Sequence, residues 1–154
     1  MAPWIKDSIL PFLPSLLTIL GWWIVGRRDG IGKKKEAHNR RVNLAIEQSQ
    51  KIYESAKKFY LLSGSAPEAS ALEDMLNCDF RRLSTILGLV NKSLISENQK
   101  QSIGNSFIEY KKVVTGGQFG TRSRNAYPLN HLLFVEIDNT YNDFFLELEK
   151  IMQI

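Results

Sequence analysis

Residues 8–26 read SILPFLPSLLTILGWWIVG and contain no charged side chain. A helix that is apolar on every side is stable in a bilayer, or inside a domain large enough to surround it. The remainder of a 154-residue chain is too small to wrap such a helix and also build a core of its own. The run is therefore expected to cross a membrane. Its centre, Ile9 to Val25, has 17 residues. At about 1.5 Å per residue this extends roughly 25 Å, near the lower limit for a hydrocarbon core.

The flanks support a span. Trp4 precedes the run and Trp22 and Trp23 close it, as an aromatic belt at two interfaces does. Pro11 falls in the first turn, where the amide has no helical acceptor, whereas Pro14 removes one hydrogen bond and kinks the segment. A cleavable signal would need a positive front end and small residues behind. Here Asp7 cancels Lys6, and Trp22, Trp23 and Ile24 stand at the back. A helix lying in the interface is the other alternative. The residues expected in the membrane include Ile9, Leu13, Leu17, Leu20, Trp22 and Trp23.

A basic stretch follows at once. Arg27, Arg28, Lys33, Lys34, Lys35, Arg40 and Arg41 are opposed only by Asp29 and Glu36, so the stretch carries +5 in a chain of +4. The high isoelectric point is thus local. By the positive-inside rule this end faces the cytoplasm, the short N-terminus faces out, and the rest of the chain is cytoplasmic. The single cysteine, Cys78, fits a reducing compartment. Anionic lipid headgroups are the expected ligand of the stretch, each Lys or Arg near the surface adding about 1 kcal/mol. Nucleic acid is the less favoured ligand, since no aromatic stacking platform accompanies the cations.

Gly26, Gly30 and Gly32 predict a flexible joint behind the membrane. From Glu36 the pattern becomes helical, with Val42, Ala45, Ile46, Ser49, Ile52, Tyr53, Ala56, Phe59 and Tyr60 at spacings of three and four. It stops at Ser63-Gly64. Ser65, Pro67 and Glu68 then form a helix start with Ser65 as cap, and the apolar face that follows includes Leu72, Met75, Leu76, Phe80 and Leu83. A third helix starts at Ser96, with Gln99 in the capping position, and stops at Gly116-Gly117. Residues 116–127 are a loop, and Pro128 opens a last helix with Leu132, Leu133, Val135, Ile137, Tyr141, Phe144 and Leu148. No alternating run predicts a strand. The expected fold is all-α: one transmembrane helix (1–26), a basic juxtamembrane segment (27–41) and a cytoplasmic antiparallel four-helix bundle (42–154).

Enzyme chemistry is not indicated. His38 and His131 are far apart, no metal-binding spacing occurs, and no cofactor motif is present. His38, among basic residues, is expected to be a solvated surface histidine. Cys78 at mid-helix is expected to behave as a small core residue. Glu136, Asp143 and Glu147 share one helix face, which reads as a solvated face or as a contact for basic groups of a partner. The loop TGGQFGTRSR has glycines and arginines but follows a helix and lacks the Gly-Lys-Ser/Thr ending of a nucleotide loop. The loop reads first as a helix stop and connection; the alternative is a protein-partner contact made by Phe119, Arg122, Arg124 and Tyr127, with Phe119 and Tyr127 expected to be exposed.

The order of features, WWIVGRR followed by a helical domain containing FIEYKKVVTGGQFGTRSR, resembles small single-span bacterial inner-membrane proteins of unassigned function. Such proteins are similar to membrane effectors of phage-defence modules, including retron-like modules that pair a reverse transcriptase with a small DNA. The resemblance implies a toxic or antiviral effector that acts with protein partners, without a catalytic motif. A passive anchor that recruits a cytosolic partner is the alternative. Ser15, Thr18 and Gly21 leave room for self-association in the span, though not at GxxxG spacing.

Overall fold

Residues 13–94 and 96–152 are described in a computed structural model. They form four helices, α1 (Leu13–Leu61), α2 (Pro67–Asn91), α3 (Glu97–Thr115) and α4 (Leu132–Met152), and no strand. The all-α expectation is met.

The first departure is at the glycines. α1 runs through Gly26, Gly30 and Gly32 without a break, so the flexible joint is replaced by helix. Each glycine costs about 1 kcal/mol against alanine in a helix interior. The arginines, lysines, Glu36 and Ala37 around them are good helix formers, and extension of an existing helix adds one hydrogen bond per residue. The chain divides into two compact units between Ala37 and His38. Among the described residues no helix is long and apolar enough to cross a membrane. The uncharged run starts outside them: residues 8–12, Ile9 included, are not described, and α1 begins at Leu13 within the run.

In the second unit, α1 contributes a buried stripe of Val42, Ala45, Ile52, Ala56, Phe59 and Tyr60. The stripe meets Leu76, Phe80, Leu83 and Val90 of α2, Ile103, Tyr110 and Val114 of α3, and Phe134, Ile137, Phe144 and Leu148 of α4. Fully burying one such side chain contributes about 1.5–3 kcal/mol. Tyr110 touches every helix. Its ring lies 5.7 Å from Phe80 and 6.0 Å from Phe144, and its hydroxyl donates to the Ser49 carbonyl at 3.2 Å. Ser49 is small and fully buried where Tyr110 meets α1, which leaves space for the large ring.

Helix directions alternate. Lys51 pairs with Asp79 at 3.2 Å while His38, earlier in α1, meets Ser93, later than Asp79. Lys57 pairs with Asp138 at 2.8 Å while His38 meets Ile151.

The helix starts follow local chemistry. Ser96 caps α3 by accepting from the Gln99 amide, as the spacing predicts. At α2 the cap is Ala66, not Ser65, and no side chain caps the helix. Pro67 decides this, because the residue before a proline is pushed to extended backbone, and Ala66 has ψ 137°. Pro128 lies before α4 rather than in its first turn. Its carbonyl accepts from the His131 amide at 2.9 Å, and His131 Nδ1 accepts from the Leu133 amide at 3.2 Å, which starts the helix at Leu132. Phe134 belongs to the core, whereas Leu132 and Val135 are exposed.

Candidate functional site

Within the basic stretch, Lys33, Lys34, Lys35 and Arg40 are exposed, and Arg27 and Arg28 lie in α1 just before them. Arg41 is half-buried and donates to the Leu89 carbonyl at 3.4 Å. Trp22, expected in the membrane, is exposed among the described residues.

His38 overturns its expectation: it is a buried histidine, not a solvated one. Nε2 faces the Ile151 carbonyl at 3.2 Å and therefore donates to it, and Nδ1 lies 2.7 Å from Ser93 Oγ. Ser93 stands just beyond α2 and Ile151 in the last turn of α4, so one ring ties α1 to two helix C-termini. The clue in the sequence is spacing. His38 is four and seven residues before the buried Val42 and Ala45, on the same face.

Arg124 is also corrected. It is buried, with its guanidinium 4.2 Å from the Phe59 ring centre and 5.0 Å from that of Tyr60. It donates to the Phe59 carbonyl at 3.0 Å and to the Tyr60 carbonyl at 3.4 Å. These are terminal carbonyls of α1, where the helix carries partial negative charge. Tyr127 adds its amide to the Tyr60 carbonyl at 2.9 Å, and its ring stacks on Tyr60 and on His131. Phe119 packs on Phe59 with centroids 5.0 Å apart. Phe119 and Tyr127 are half-buried, and only Arg122 of the four is exposed. The loop is therefore a cap on α1. Gly64 makes it possible: a Cβ there would stand 2.2 Å from the Thr121 carbonyl oxygen. With Arg124 turned to backbone, Arg122 is the exposed arginine of the loop.

The outer seam of α3 and α4 is open. A hollow of about 550 Å³ at the Gly116 end and one of about 300 Å³ at the Ser102 end share Glu109 and follow one another along the seam as a groove. Glu136 and Asp143 line it from α4, and Leu132 and Leu146 line it as exposed apolar side chains. Glu147 is occupied: Ser102 donates to it at 2.7 Å and Lys150 at 2.5 Å. The Lys150 ammonium, and then the Ser102 hydroxyl, hold its carboxyl below the usual range. The acidic residues thus line a groove shared with α3, which the sequence shows only as one face of one helix.

Cys78 is exposed, not a core residue. Among the described residues no three His, Cys, Asp or Glu side chains come together to hold a metal ion. Fold and surfaces together define a helical-bundle protein whose first helix carries a basic stretch. The chain matches no protein family, no curated protein and no solved structure.

Proposed function

We propose that the protein is a membrane-anchored helical effector that acts through protein partners and perturbs a bacterial inner membrane, with phage defence as its setting. The observation that carries this reading is the continuity of α1. One unbroken helix holds the end of the uncharged run, the whole basic stretch and the first helical stretch of the bundle. A partner that binds the bundle thereby acts on the same helix that enters the bilayer. The basic stretch rests on anionic headgroups and fixes the bundle on the cytoplasmic side.

The experiment is a swap. Expression of the intact chain should depolarise cells, and replacing residues 8–26 with an unrelated membrane helix should abolish depolarisation while leaving the protein in the membrane fraction. A passive scaffold would keep its activity through the swap. Unchanged membrane potential on expression of the intact chain, at any level and with phage present, overturns the effector reading.

A further inference from the structure

The α3–α4 groove has a defined charge. Its lining runs from Ser102 to Gly116 on α3, about 21 Å at 1.5 Å per residue. Four carboxylates line it, against Lys112 and Lys150. Lys150 is spent on Glu147. Glu109, Glu136 and Asp143 have no ion pair among the described residues. Exposed Leu132 and Leu146 lie within it. Such a groove fits a helix that alternates apolar and cationic groups on one side.

The chain itself carries such a helix. In the sequence of α1, Arg27, Arg28, Ile31, Lys34 and Lys35 recur at spacings of three and four. The cationic pairs are seven residues apart, two turns or about 10.5 Å. Glu136 and Asp143 are also seven residues apart, on α4. The spacing of cations in one element equals the spacing of carboxylates in the other.

We propose that the α3–α4 groove of one copy receives the basic stretch Arg27–Lys35 of a second copy. The contact is heterologous, so each copy offers one groove and one basic helix, and copies add in a row or close a ring. The proposal goes beyond the membrane reading and does not depend on it, because the groove and the basic stretch both lie outside the uncharged run. Where anionic lipid is present, headgroups and the groove compete for the same cations.

The test uses the full chain in zwitterionic detergent, with mass measured by light scattering and sedimentation at low and high salt. The wild type should self-associate at low salt and dissociate at high salt. Glu136→Lys with Asp143→Lys, and separately Lys34→Glu with Lys35→Glu, should each weaken association about tenfold, the effect of losing two exposed ion pairs. Mixing the two variants should restore association, because one has an intact basic stretch and the other an intact groove. Circular dichroism checks the helices. If the lysine substitutions cost helix, Glu136→Gln with Asp143→Asn takes their place with the same expectation. A wild type that is monomeric at every salt overturns the proposal. So does a mixture that stays dissociated, or a groove variant that associates like wild type.

Discussion

The guanidinium of Arg124 stacks 4.2 Å above the Phe59 ring and, through Nη2, donates to the Phe59 carbonyl at 3.0 Å. One residue thus holds both the side chain and the backbone of the other. Arg124→Ala removes a charged donor from buried carbonyls and is expected to cost about 3 kcal/mol. Arg124→Lys keeps the charge but loses the planar fork, with an expected cost of about 1–2 kcal/mol. Urea denaturation gives both values from the shift in midpoint at constant slope. Full stability in Arg124→Ala would remove the capping role.

His38 joins three helices through two ring nitrogens. His38→Phe keeps the bulk and leaves the Ile151 carbonyl unmet, at an expected cost of about 2 kcal/mol. Ser93→Ala is expected to cost less, since the single proton of its hydroxyl has the Val90 carbonyl at 2.6 Å as a competing local acceptor. A double-mutant cycle between the two positions should give a coupling of about 0.5 kcal/mol or more. Strict additivity would mean that the ring and the hydroxyl do not interact in solution.

Glu147 sets an acid dependence. Its carboxyl is held below the usual 4.5 by Lys150 and then by Ser102. A depressed pKa contributes stability that is present above the unfolded value and is lost as pH falls through the folded one. Between pH 5 and 3 the double variant Ser102→Ala, Lys150→Ala should therefore lose less stability than wild type. Side-chain carbon shifts of Glu147 followed by NMR should show its midpoint rising in that variant.

Tyr60 sets the alkaline side. Burial, with a smaller contribution from Tyr127 and against the opposing charge of Arg124, pushes its hydroxyl from 10.0 to about 12. The unfolded chain ionises first, so this contribution is intact below about pH 10 and is lost as pH rises towards 12. Tyr60→Phe should flatten that part of the stability profile. It should also lower stability at neutral pH by about 1 kcal/mol, because the Val114 carbonyl loses the hydroxyl that donates to it at 2.7 Å. Ultraviolet titration at the tyrosinate band, paired with thermal melts, separates the two effects.

Much of the fold is legible in the residues. The stripe from Val42 to Tyr60, the Ser96 cap, the stop near Gly64 and the absence of strand patterning all follow from spacing and cap chemistry. These signals are local: a helix's own period and its end groups operate within a few residues. Pro67 moved a cap by one residue, again through local backbone sterics.

What the sequence alone determined is therefore the helical periods within the bundle, the order of charges and the uncharged run. What only tertiary structure decided is the meaning of particular polar residues. Arg124 and His38 read as surface groups because their neighbours in sequence are polar or basic. Their partners are 65 and 113 residues away, at carbonyls of helix C-terminal turns that exist only once the helices have formed. The acidic groove is likewise invisible in α4 alone, since half of it is built by α3. A buried polar group is stabilised by the acceptor it reaches, and packing alone decides which acceptor that is.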